Sequence, residues 1–338
     1  ILITILVAMG VGALFIVAIG ENPIDAYAAL FRGAFDGELR LGTTLAGFTP
    51  LLLTSIAFAV AAKAGAFNVG VEGEVFLGGI TAAYIGINWT FLPKPALYVA
   101  CFVGAMVVAA AWAFIPAVLR AYYNVNEVCT TILMNTVALY ITSYLVSGPM
   151  SAGTANAQSL PVTVRLYQFM KPSSVNVGIF IAAITVIVII FMLQKSSWGY
   201  KIRTVGLNPT HADYVGIDSK KVFVGAMMLS GMLGGMAGCI EVLGVHGYFL
   251  NNFATGLGSN GMLAALIVKN NMVSTPFMAF FLAVLKSGAM GMQQSTGVPK
   301  SLVDTITAVF IIIATMETAF QFTKKRKKKT EEKKEEKA

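Results

Sequence analysis

Four stretches of this chain, residues 43–62, 96–119, 128–150 and 175–194, run without a charged side chain. About 20 consecutive apolar residues are enough for a helix to cross the hydrocarbon core of a bilayer, so each stretch can span one. None is a plain aliphatic run, because Gly, Pro, Asn and Thr are scattered through them. An inert anchor has no need of such residues. The same pattern, followed along the chain, predicts ten spans: 1–20, 43–62, 75–91, 96–119, 128–147, 175–194, 222–242, 253–268, 275–291 and 302–322. The eighth is short, and Lys286 interrupts the ninth. Gly/Asn-rich breaks fall near 68–73 and 256–261. Discontinuous helices at matching places in two halves suit a transport path. The expected fold is an all-α membrane protein of about ten transmembrane helices, with broken or short helices lining a central path.

Composition narrows this further. The chain is 57% hydrophobic and only 12% charged, whereas soluble domains carry about 25% charged residues. A soluble protein of this length would have too little polar surface to stay dispersed. The formal net charge is +8, of which the segment 324–338, with nine Lys/Arg and four Glu, supplies +5. Little basic charge is left for the remainder, so no nucleic-acid partner is expected. The chain divides into a membrane domain, 1–323, and a basic Lys/Glu-rich tail, 324–338, expected to be disordered and to lie on the cytoplasmic side. Lys195, Lys201, Arg203, Lys220 and Lys221 also cluster between spans, and the positive-inside rule then puts both termini in the cytoplasm. Cys101, Cys129 and Cys239 lie in apolar segments without pairing or metal-ligand spacing, so free thiols and no metal are expected.

Against this apolar background a few polar groups need a reason. The segment 63–74 carries Asn68, Glu72 and Glu74 beside the membrane. If it is helical, Asn68 and Glu72 share a face at i, i+4. A carboxylate at that depth must be paired, hydrogen-bonded or wet, so the group either lines or gates a path or forms a structural pair or cap, for instance with Lys63. Lys286 needs a carboxylate, water or a cavity, and Glu241, Asp304, Glu72 and Glu127 are its candidate partners. His211 and His246 have no matching ligand cluster and are given no role. Gly231/Gly235 and Gly234/Gly238 each make a G-x-x-x-G, which permits close helix approach. The stretch 256–261 fits G-x-G-x-x-G, but no acidic residue follows within about 20 positions and no βαβ unit surrounds it, so it is not a dinucleotide site. The chain has no phosphate loop; ATP-driven work would require ATP to bind elsewhere.

The loop 195–221 is the sharpest feature. Asn208 before Pro209 is a helix start, with Asn as cap and Pro in the first turn. A short helix at 210–215 can then end at Gly216. Rimmed by Lys201, Arg203, Lys220 and Lys221, this element is either a dock for a soluble partner or a basic linker lying on lipid.

Four stretches together, 67–74, 203–209 with Gly216-Ile217, 241–247, and 286–293 with 296–299, resemble the permease subunits of bacterial ABC importers in the branch shared by nucleosides, simple sugars and branched-chain amino acids. The resemblance covers roughly 43–317, and the last two stretches look most like nucleoside permeases. It implies a second homologous permease, giving a heterodimer; ABC ATPase subunits that bind ATP and Mg; an extracellular substrate-binding lipoprotein; and a bacterial plasma membrane. It makes Arg203, Gly206, Leu207, Asn208, Pro209, Ala212 and Gly216 the ATPase-coupling residues. Asn68, Glu72, Glu74, Glu241 and Lys286 would form the translocation path or gate. No catalytic residue and no bound cofactor are expected in this chain. His211 and Asp213 stand where small residues or Glu are expected, and Lys286 where Arg is common. Two other readings stay open, a simple-sugar permease and an ion-coupled secondary transporter.

Overall fold

The computed structural model describes residues 2–296 together with Pro299, Ser301, 303–305 and Ala308. Twelve helices form among these residues: α1 Leu2–Ala18, α2 Pro23–Phe35, α3 Gly37–Lys63, α4 Val71–Asn88, α5 Lys94–Tyr123, α6 Glu127–Ser147, α7 Gly178–Lys195, α8 Ser197–Leu207, α9 Pro209–Tyr214, α10 Ser219–Ile240, α11 Leu257–Ile267 and α12 Thr275–Thr296. A π-helical turn, Glu241–His246, continues α10. Only isolated β-bridges occur among the described residues.

The protein is an all-α membrane protein. Six helices are long and apolar enough to cross a bilayer, namely α3, α5, α6, α7, α10 with its π turn, and α12. The count rises to seven if Met9–Ala18 and Pro23–Phe35, bent by 116°, make one span. The expected third span falls on α4, whose first turn carries Glu72 and Glu74, and the eighth on the 11-residue α11. The tenth span falls almost wholly outside the described residues, and the tail lies entirely outside them.

Two compact units divide the chain, residues 36–284 and residues 1–35 with 285–338. In the larger unit α10 is the hub, packed on α3, α4 and α5. Its glycines explain how. Gly231 and Gly235 face α5, where a Cβ on Gly231 would stand 2.7 Å from the Ala109 carbonyl oxygen. Gly234 and Gly238 face α4, where a Cβ on Gly238 would overlap the Val75 carbonyl. Two interleaved small-residue stripes thus let α10 touch two helices at backbone distance, which maximises dispersion contacts where lipid supplies no hydrophobic drive. The outer face of α7 is the opposite case: Phe180, Ile184, Ile187, Val188 and Phe191 are exposed and wholly apolar. Such a surface suits lipid.

Helix ends are set by local chemistry. Asn124 adopts φ 58° at the end of α5, and Asn126 accepts from the Val128 and Cys129 N–H groups to start α6. Arg120 and Glu127, 3.1 Å apart, close this turn. In the smaller unit Ile16, Ala26, Leu30, Ala289, Met292 and Val303 form a core, and Gly33 meets Gly288 and Gly291 backbone to backbone.

Candidate functional site

The turn between α3 and α4 is irregular rather than helical at Asn68, so the i, i+4 pairing of Asn68 with Glu72 does not form. Asn68 is fully buried and reaches Glu74 instead. Its Nδ2 donates to Glu74 Oε1 and to Ser230 Oγ of α10, each at 2.9 Å. Its Oδ1 accepts from the Gly70 N–H at 2.9 Å. Glu74 is 1% exposed, and its Oε2 has no hydrogen-bond partner among the described residues. Gly234 leaves the room for it, since a Cβ there would lie 2.9 Å from that oxygen. On the other flank Asn135 of α6 accepts from the Gly73 N–H at 2.8 Å and donates to the Val69 carbonyl at 2.9 Å. Asparagine amides thus satisfy backbone groups that the break before α4 would otherwise leave unpaired in an apolar setting.

Glu72 points to a different neighbour. Its Oε2 accepts from the Ser259 hydroxyl at 3.2 Å and, at 3.5 Å, from the Ser259 N–H in the first turn of α11. A carboxylate from one helix caps another, where the exposed N–H groups favour negative charge. Ser259 is itself exposed.

Glu241 opens the π turn and is nearly buried. Its Oε2 lies 3.7 Å from His246 Nε2. In an α-helix residues five apart diverge by about 140°; π winding, with i→i+5 bonds, brings them to one side. That is why spacing alone could not pair them. His246 also meets Phe253 edge-on at 5.8 Å, and Phe253 packs edge-on against Phe76 at 5.7 Å and Phe249 at 5.3 Å. Three of the π turn's carbonyls are taken up by the long α6–α7 connection, which runs across it as a strap, while the Gly247 N–H donates to that of Val242. The Leu166 N–H donates to the Leu243 carbonyl, Gln168 Nε2 to that of Gly244 and Arg165 Nη2 to that of His246, each at 2.9 Å.

Lys286 is half-buried on α12. Of the partners considered for it, Glu127 contacts Arg120, Glu72 Ser259 and Glu241 His246, contacts that do not leave Lys286 without a partner of its own. Asp304 is exposed.

The α8–α9 segment folds much as its residues predict. Asn208 caps α9 by accepting from the His211 N–H at 3.0 Å, Pro209 occupies the first turn, and Gly216 at φ 81° follows its end. Ala212 is fully buried and anchors the short helix. Leu207 (88%), Tyr214 (86%) and Val215 (54%) are exposed, so an apolar edge faces outward. Gly206 sits on the end of α3, where any Cβ would overlap the Lys63 carbonyl. Arg203 is half-buried, with Nη2 3.5 Å from the Gln194 carbonyl. Asp213 takes the Ser219 N–H on Oδ1 and the Ser219 hydroxyl on Oδ2, both at 2.9 Å. Sequence reasoning gave Asp213 no contact, because nothing in the spacing marks a side chain reaching six residues ahead. Asp218 caps α10, and the Lys221 N–H, then its ammonium at 3.0 Å, hold the Asp218 carboxyl below the usual carboxylate range. Lys220 lies over the Tyr122 ring, 5.2 Å from its centre.

A buried polar break, a π turn under a strap and a capped, partly apolar surface helix are thus joined by one glycine-rich rod. Residues 40–315 match the family described as branched-chain amino acid transport system / permease component. The chain belongs to that family. It is 33% identical to the guanosine ABC transporter permease protein NupP of Bacillus subtilis, covering 95% of this chain and 94% of the relative. It is 32% identical to the glucose ABC transporter permease protein TsgB13 of Haloferax volcanii, over 94% and 87% of the two chains. It is 30% identical to the nucleoside ABC transporter permease protein NupB of Lactococcus lactis, over 94% and 90%. Membership makes this chain a multi-pass ABC importer permease and implies an ATPase and a substrate-binding protein as its partners.

Proposed function

We propose that this permease imports nucleosides. The observation that carries the reading is similarity along nearly the whole chain to relatives named for guanosine and for nucleosides. The complex would comprise a heterodimer of this chain with a second permease in a bacterial plasma membrane, two ATPase subunits that bind ATP and Mg, and an external lipoprotein that delivers cargo. Each permease would cross the membrane about ten times, with α4, α11 and the 302–322 segment completing the count. The basic residues of 195–221 and the tail 324–338 support a cytoplasmic position for α8–α9 and both termini. There α9 seats in the ATPase through Leu207, Pro209 and its exposed apolar edge, while Asn208, Ala212 and Gly216 hold its shape and Gly206 and Arg203 fix it to the membrane domain.

Glu72, Glu241 and Lys286 line or gate the path, and Asn68 and Glu74 brace the gate from behind. Substrate choice resides largely in the external protein. No bond of the cargo is broken in this chain.

A second reading, a simple-sugar permease, is favoured by the glucose-named relative at nearly the same identity. Uptake of radiolabelled guanosine, adenosine and uridine, in cells with and without the chain, separates the two when unlabelled ribose and glucose serve as competitors. Chain-dependent nucleoside uptake that neither sugar competes away is expected. Uptake abolished by sugar, or nucleoside uptake indifferent to the chain, would overturn the nucleoside assignment.

A further inference from the structure

The α8–α9 segment has two backbone-level seats on the membrane domain. Gly206 lies against the Lys63–Ala64 backbone at the end of α3, and Asp213 grips Ser219, the first residue of α10, with both oxygens. From the first seat the chain continues only four residues to Asn68. From the second, α10 rises eleven residues to Ser230, about 16 Å along a helix. The two routes meet there, because Asn68 Nδ2 is bonded to Ser230 Oγ. The result is a closed triangle of α8–α9, the α3–α4 turn and the first half of α10. A triangle with packed or hydrogen-bonded corners transmits displacement instead of absorbing it.

We infer that Asn68 is the positioning residue through which movement of α9 reaches the start of α4. Its other contacts serve that function. Nδ2 also holds Glu74, and Oδ1 holds the Gly70 N–H, so the first turn of α4 is fastened to the same corner. Asn135 clamps Val69 and Gly73 from α6. Two residues beyond Gly70, Glu72 touches Ser259 at the start of α11. A push on α9 therefore shifts the Glu72–Ser259 contact. Asn68 touches no cargo. Its complete burial and three hydrogen bonds are those of a joint, and it acts through Glu72. This inference rests on the reading of α9 as the ATPase seat.

The test uses the full complex in proteoliposomes with Asn68→Ala, Ser230→Ala and the double variant. ATP hydrolysed per labelled guanosine imported is read alongside the amount of ATPase retained on the permease. A second readout is independent of cargo: the nucleotide-dependent change in thiol labelling of Ser259→Cys in a Cys129→Ser background. Loss of one buried hydrogen bond can shift an equilibrium roughly tenfold. The ATP-to-cargo ratio is accordingly expected to rise by up to about that factor in Ser230→Ala, which loses one bond, and by more in Asn68→Ala, which loses three. The double variant should resemble Asn68→Ala, the nucleotide effect on labelling should shrink, and ATPase retention should stay unchanged. A ratio that stays at the wild-type value while uptake and hydrolysis fall together would overturn the inference, as would undiminished nucleotide-dependent labelling. Ser230→Ala, the milder change, carries the decision if Asn68→Ala does not assemble. Failure of the wild-type permease to retain ATPase would instead refute the seat at α9.

Discussion

The two ends of α10 are built on opposite principles. At Ser219 the helix begins under short-range control, with Asp218 capping from one residue before it and Asp213 from six before. About 33 Å along at Glu241, the α winding gives way to a π turn that only Gly247, at φ 77°, closes locally, by donating its N–H to the Val242 carbonyl at 2.8 Å. Three of its carbonyls are met by Arg165, Leu166 and Gln168, which lie some 75 to 80 positions earlier in the chain. One end keeps its shape even if its surroundings move. The other leans on the strap as well as on its own Gly247 cap. On the proposed reading, the end held by local caps is the one the ATPase would push, and the end that also needs the strap is the one beside the path.

That contrast can be broken most severely at Gly206. A Gly206→Val change puts a branched side chain into the Lys63 carbonyl and should cost about 3 kcal/mol as an overpacking change. Loss of ATPase co-purification, with the permease still folded by thermal melting in detergent, is the expected result. Retained ATPase would show that the firm end tolerates displacement of its seat.

Next in size, Asn208→Ala removes the α9 cap and should destabilise that segment by about 1 kcal/mol. Hydrogen exchange in 209–215 should speed up without change at 241–247. The mirror experiment is Gln168→Ala, which deprives the Gly244 carbonyl of its donor for about 1 kcal/mol. Exchange should then rise in 241–247 alone. If either variant alters both ends equally, α10 does not separate them.

A smaller effect is expected from pH. Asp218 is held below its ordinary range when folded, so its cap contributes fully above the unfolded carboxylate value, ~3.9, and is lost as pH falls through the lower folded value. Asp218→Asn should flatten that part of the acid response of α10's first turn. Smallest of all, Ile187→Ala on the exposed face of α7 should stay within about 0.5 kcal/mol, readable as an unchanged melting temperature.

What could be read without coordinates follows the same division. Asn208-Pro209 and Gly216 announced α9 because capping and turn chemistry act over a few residues. The interleaved glycines of α10 announced close packing, though not that one pair faces α5 and the other α4. Asn68 and Glu74 were recognisable as polar groups in need of partners. Their actual bonding was hidden because the turn before α4 is irregular and Ser230 is 162 positions away. Glu241 stood out as an acid, while His246 did not, since α-helical periodicity separates positions that the π turn unites.

The order and apolarity of the helices, the capped surface segment and membership in a permease family are properties of local patterns: the 20-residue span, the i+4 glycine stripe and the cap within three residues. Chain folding decided which amide holds which carboxylate, where α10 leaves α winding, and that α8–α9, the α3–α4 turn and α10 close into one block. Those outcomes depend on pairing groups tens to hundreds of positions apart. A buried polar atom must find some partner, but its own sequence neighbourhood does not specify which.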